Sequence, residues 1–294
     1  MPLGDEAFAD LPAGTDTPEQ ATLFTGTPLI QPFERAFAKY SVNGTSRLEW
    51  VISRLFVDPQ PHTFTLQGAP SSTQNDEFED IGLSVTNTFF LEDDEKRIFA
   101  QSQDFYYRVK LVTPVRTYYS EIVSAVKNLQ FRDWRLARDI IRKETLRHSK
   151  YTSLKGYLLK RKRYGERCTA CTDHLTEEVT NSDCTVCKGT GLIYGYFAAV
   201  PANMELSLTS QREEMDSLQA VGTKKDVIFP NCRMLGDPIP DSYDIFVDSG
   251  SDRRFIIHEV TAAAEMRGYH VVTNVNVRQA NFSDVAYTIP MEGL

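Results

Sequence analysis

The sequence predicts a mainly β protein: a β-sandwich, one amphipathic helix, a four-cysteine zinc ribbon and a C-terminal β domain. Three observations predict it. Short runs of apolar residues, often alternating with polar ones and separated by turn residues, fill two long stretches, 34–126 and 198–294. Between them, 127–150 places apolar residues at helical spacing. The segment 151–197 then holds four of the five cysteines, as Cys168-x2-Cys171-x12-Cys184-x2-Cys187.

The length of 294 residues suits two or three domains, and a composition of 41% hydrophobic and 24% charged residues supports real cores. Residues 1–33 are rich in Pro, Gly, Thr and acids and lack periodicity, so they read as an extended arm. The opening residues lack the basic flank and apolar stretch of a signal peptide. No apolar run approaches the roughly 18 residues of a membrane span. The expectation is a reducing cytosol, where clustered cysteines favour metal over disulfides.

In the first β stretch, Leu48, Trp50 and Ile52 alternate onto one face. Phe64–Gln67 follows the turn Asp58-Pro-Gln-Pro61. Leu83–Val85, Thr88–Phe90, Tyr107–Leu111 and Tyr119–Val123 complete a sandwich pattern. The details resemble a fibronectin type III domain: Trp50 on the second strand, the sixth-strand pattern Tyr107-Arg-Val109-Lys-Leu111, and Ser120-Glu121 opening the last strand. The resemblance implies a two-sheet Greek key, with Tyr107 as a corner tyrosine bonded back to backbone.

Leu129–His148 predicts the helix. Trp134, Ala137 and Ile141 form one stripe, with Leu136 and Ile140 beside it, and Arg142, Lys143 and Arg147 complement the dipole near the C-terminal end. Tyr157–Leu159 reads as a strand entering the cysteine loop and Leu192–Phe197 as one leaving it.

Two CxxC pairs at this spacing fit one tetrahedral Zn²⁺ with about 2.3 Å Zn–S bonds. Catalytic zinc keeps one position open for water, whereas Cys168, Cys171, Cys184 and Cys187 fill all four, which marks a structural site. A redox CxxC would need a βαβ setting. His174 is the competing ligand, and Cys232 reads as a small buried hydrophobe. The second pair, with Gly189 and Gly191, resembles one CxxCxGxG repeat of the DnaJ-type chaperone zinc domain. The first pair lacks those glycines, and the chain has no His-Pro-Asp motif.

Net charge is −8, but Lys127–Arg163 holds 13 Lys/Arg against three Asp/Glu. That asymmetry fits a nucleic-acid patch, a contact between subunits, or a solvated helix face. Lys160, Arg161, Lys162 and Arg163 are the candidate contact residues. They also lie where a Zn(Cys)₄ centre of formal charge −2 would need balancing.

The last stretch predicts strands at Asp226–Phe229, Tyr243–Asp248, Arg253–Val260, Tyr269–Val277 and Asp284–Pro290, with a Gly250 hairpin between the second and third. Ala262–Gly268 reads as a bulged loop or a turn of helix. Phosphate-loop, HExxH and GxSxG motifs are absent, so no catalytic residues are expected, no enzyme and no small-molecule substrate. Asp244, Asp248 and Asp252 lack EF-hand spacing.

The run Asp133–Glu144, Tyr157–Cys168, Cys184–Gly191 and Gly195–Phe197, with Arg253–Ile256 and Asp284–Pro290 near the end, looks like structural proteins of tailed-bacteriophage virions. The likeness covers roughly residues 130–294. It implies a ring-forming neck or head–tail connector subunit, with tail or baseplate protein as the variant. Its partners would be copies of itself and neighbouring portal, neck or tail proteins, with incidental contact to packaged DNA. It also implies assembly in the host cytoplasm and residence in the virion, without a membrane. The reading from another class is a zinc-ribbon nucleic-acid-binding factor.

Overall fold

The computed structural model describes residues 31–40, 45–56, 58–70, 77–95, 105–124, 131–173, 178–207, 211–213, 226–235, 238–266 and 269–291. The first thirty residues of the expected arm lie outside this set. The fold is mainly β, with 48% strand and one α-helix among the described residues.

The N-terminal part forms two antiparallel sheets. One holds β1 (Phe33–Tyr40), β2 (Ser46–Ile52) and β5 (Phe90–Asp93) in the order β1-β2-β5. The other holds β3 (Thr63–Ala69), β4 (Glu79–Thr86), β6 (Tyr106–Val112) and β7 (Thr117–Tyr119) in the order β4-β3-β6-β7, and β8 (Val123–Ser124) also pairs with β6. The chain therefore changes sheet after β2, β4 and β5. The alternation read from the sequence fills the space between the sheets: Leu48, Trp50 and Ile52 from one, Phe64, Leu66, Tyr107, Val109 and Leu111 from the other, all at most 2% exposed. Trp50 packs on Phe64 across the gap, with ring centroids 5.0 Å apart. Tyr107 Oη donates to Asp93 Oδ2 at 2.9 Å, a side-chain carboxylate rather than the backbone acceptor that the resemblance implies. Leu83 and Val85 are exposed, on an edge strand with no buried residue, where Gly82 sits at φ +72° and the β3–β4 register slips between Phe64 and Leu66.

Helix α1 (Phe131–Arg147) runs into a π-helical turn, His148–Thr152. Ile141 packs against the first core and Leu136 is exposed. The side chains of Trp134 and Ala137 lie outside the described set.

The C-terminal part closes into a six-strand barrel. Its strands are β9 (Leu154–Leu159), β10 (Val200–Glu205), β12 (Asp226–Leu235), β13 (Ile245–Asp248), β14 (Arg254–Met266) and β15 (Tyr269–Gln279). They pair antiparallel around the circuit β9-β13-β14-β15-β12-β10-β9, and β11 (Gln211–Glu213) adds to β12. Period-two alternation fills the interior from every barrel strand. Leu158, Ala202, Met204, Cys232, Met234, Phe246, Phe255, Ile257, Val275 and Val277 form one cluster. Cys232 is fully buried there, as its sequence reading proposed. Pro230 falls where the β12–β15 register shifts, a position that tolerates a missing N–H. The first part of Ala262–Gly268, expected as a loop or helical turn, continues β14 as far as Met266 through register shifts. Asp284–Pro290, expected as a strand, contains a 3-10 turn, Val285–Thr288, whose first N–H groups are capped by Asp284. This turn covers an outer apolar layer of Leu159, Ile245 and Val247.

Tyr157–Leu159 was expected to belong to the ribbon. It pairs instead with β13 and β10 as a barrel strand. The cysteine segment is thus an insertion between two neighbouring barrel strands.

Candidate metal centre and the basic segment beside it

The insertion has a short stem. Lys162 N donates to Gly195 O, Phe197 N to Lys160 O, Ile193 N to Glu166 O and Cys168 N to Gly191 O, each at 2.9 Å. The expected strand Leu192–Phe197 is reduced to isolated bridges, Arg161 with Tyr196 and Arg167 with Leu192. Tyr194, at φ +54°, breaks the extended run.

Each CxxC pair forms a turn closed by the same bond. Thr172 N donates to Cys168 O (3.2 Å) and Lys188 N to Cys184 O (2.8 Å). The second turn passes through Lys188 and Gly189 at φ +56° and +76°. A Cβ on Gly189 would stand 2.5 Å from Ser182 O, so both conformation and space demand glycine.

The turns bring all four Sγ atoms within 4.8 Å of one another. Cys168 Sγ lies 3.9 Å from Cys184 Sγ, and Cys171 Sγ 3.1 Å from Cys187 Sγ. A tetrahedral site with about 2.3 Å metal–sulfur bonds has sulfurs about 3.8 Å apart, within this range. Exposure of the four residues is 0–8%. All five cysteines are free thiols. The N–H groups of Cys187 and Val186 hold the Cys184 thiol down at about 6, while burial and then the neighbouring thiols push Cys171 up. One sulfur is thus readily a thiolate, and the crowding of the others falls when a cation takes their protons' place. The sequence-predicted quartet is assembled in full and can bind a metal ion. His174, the alternative ligand, lies outside the described residues.

The basic run is differently placed. Lys160 is buried: its Nζ donates to Ile239 O (2.6 Å) and Asp244 Oδ2 (3.3 Å), with side chains 9% and 1% exposed. Asp244 also accepts from the backbone N–H groups of Arg161 and Asp241, each at 2.8 Å. Arg163 reaches Glu34 on β1 and Asp241. Lys162 lies over the Phe197 ring at 5.7 Å, and burial lowers its pKa. Two of the four cations therefore pair with carboxylates of this chain. The Lys160–Asp244 pair lies within the C-terminal part, whereas Arg163–Glu34, Arg35–Asp241, the Glu49 carboxylate on Ile239 N, and Tyr164 Oη on Thr88 O at 2.6 Å fasten the N-terminal sheets to the barrel. Tyr164 and Phe197 complete the N-terminal core. Sequence reasoning missed Asp241, and weighed Asp244 only with Asp248 and Asp252 as an acidic turn, since neither lies near the cations in sequence and nothing local marks Asp244 as buried.

No protein-family model, curated protein or solved structure matches the chain. No helix among the described residues is long and apolar enough to cross a membrane.

Proposed function

We propose that this chain is a non-enzymatic assembly subunit, with Zn²⁺ held by Cys168, Cys171, Cys184 and Cys187 as a structural brace. The observation that carries the reading is the closed quartet. Four buried thiols leave no position for water or substrate, so the metal's role is to stabilise the insertion that abuts both cores. The resemblance of the sequence to tailed-phage virion proteins supports reading the subunit as part of a ring at the neck or head–tail connector, with tail or baseplate as the variant. The N-terminal sheets are read as a fibronectin type III-like sandwich. Trp50 on β2, Tyr107 on β6 and one core shared by two sheets support this. Exposed apolar side chains support contacts between copies. Leu83 on the edge strand β4 is 86% exposed, and Tyr151, Tyr194 and Phe282 are each at least 75% exposed.

Light scattering and electron microscopy of purified protein test the assembly reading, with rings or discrete oligomers expected. The rival reading, a zinc-ribbon nucleic-acid factor, draws on the basic run. A strict monomer that binds DNA below micromolar, with a salt slope of many phosphates, would favour it and refute the assembly reading.

A further inference from the structure

A cleft of roughly 500 Å³ opens between the turn after β2, the segment after β9 and the cysteine insertion. Its size falls within the range of about 300–1,000 Å³ typical of ligand sites. Five cationic side chains line it: Arg54, Arg161, Lys162, Arg163 and Arg167. Two carboxylates face them, Asp58 and Glu178. Asp58 is already engaged, accepting from Thr113 Oγ1 at 2.9 Å and Tyr118 Oη at 3.0 Å. His62, also in the wall, adds no charge at neutral pH. Its ring nitrogens meet Asp58 O and the Gln60 amide, and burial lowers its pKa. The cysteines do not line the cleft. Arg163 is paired with carboxylates outside the lining, Glu34 and Asp241, and Arg167 and Glu178 also have partners. Positive charge remains in excess. At Arg54 desolvation first, then the like charges of Arg161 and Arg163, lower the pKa, against the opposing pull of Glu34 and Asp241.

We propose that this cleft is a binding site for a phosphoryl group, carried by a nucleotide or by a nucleic-acid strand. The cations arrive from two chain segments distant in sequence: Arg54 after β2, and Arg161, Lys162 and Arg167 along the stem of the insertion after β9. A tetrahedral, multiply charged phosphate takes donors from several directions at once, and guanidinium forks match its oxygens. A planar carboxylate satisfies one fork and leaves the others repelling one another. Phe56 and Tyr164 are too buried to act as stacking platforms, so recognition is by charge. The footprint is one or two phosphates, which separates this site from a dedicated DNA-binding surface. The inference needs neither the metal nor the ring, and its failure would leave the assembly reading intact.

Titration calorimetry of the full chain tests it with two probes, inorganic pyrophosphate and a short oligothymidylate. Both are expected to bind at one site and compete. The salt slope is about −0.7 to −1.4 for one or two phosphates of a single strand. Arg54→Ala and Arg161→Ala are each expected to weaken both probes about tenfold, the equivalent of one charge-assisted hydrogen bond. Lys110→Ala, which does not line the cleft, is expected to leave binding unchanged, and unaltered melting curves show that the variants fold. Tighter binding of pyrophosphate assigns the site to free nucleotides, and tighter binding of the oligonucleotide assigns it to a strand. The proposal is overturned if neither probe binds, if both folded Arg variants bind like the wild type, or if a polyglutamate peptide binds more tightly than either probe.

Discussion

Lys160→Met removes one partner of a buried ion pair while keeping the length of the side chain. Asp244 would then keep its two backbone donors but lose the cation it pairs with, at 1% side-chain exposure. Breaking a buried pair from one side costs about 3–5 kcal/mol, because an uncompensated charge remains. At roughly 2–4 °C per kcal/mol for a domain of this size, the melting temperature should fall by about 6–20 °C. Ile239 O also loses its Lys160 donor, which places the effect in the upper half of that range. The assay is thermal and urea unfolding of metal-loaded protein. A second variant, Lys160→Met with Asp244→Asn, removes the stranded charge and keeps one carbonyl for the Arg161 N–H. It should be less destabilised than the sum of the single changes. If Lys160→Met unfolds within about 0.5 kcal/mol of the wild type, as a surface substitution would, the buried Lys160–Asp244 pair does not hold the barrel end together and the reasoning fails.

Two further outcomes follow from the geometry. Gly156→Val should destabilise the barrel by about 3 kcal/mol or more, since a Cβ there collides with Val247 O and stands 2.8 Å from the Phe246 ring; unchanged denaturant midpoints would contradict the β9–β13 register. His148 is fully buried, 3.8 Å from Glu205 and 4.0 Å from Glu144, with Arg147 and Arg233 nearby, and burial lowers its pKa despite the two carboxylates. A folded-state pKa below the unfolded value means that the unfolded chain takes the proton first. Stability from this group is therefore present above about 6.5 and lost as pH falls toward the lower folded value. His148→Leu should flatten the decline in melting temperature between about pH 7 and 5.5, and an identical decline in the variant would count against this placement.

The legible parts of the fold were those whose signal is local. Period-two alternation located Leu48, Trp50, Ile52, Tyr107, Val109 and Leu111, and each is buried. The cysteine spacing located all four members of the thiol cluster, because two CxxC turns carry their geometry with them. Barrel closure was not legible. It depends on β9 lying between β10 and β13, partners from distant parts of the chain, and Val200–Glu205 has no strong strand pattern of its own. Tyr157–Leu159 and Leu192–Phe197 looked like matched ribbon strands. The first answers to the barrel and the second is interrupted at Tyr194. The run from Lys160 to Arg163 looked like an outward-facing patch because its carboxylate partners, Glu34, Asp241 and Asp244, lie about 80 residues or more away.

Metal analysis of native protein, by elemental emission with thiol counting, tests the central claim most directly. The account predicts about one zinc per chain, protection of four thiols from alkylation, and loss of both in Cys184→Ser but not in Cys232→Ser. A folded, metal-free protein whose four clustered thiols alkylate freely would contradict it.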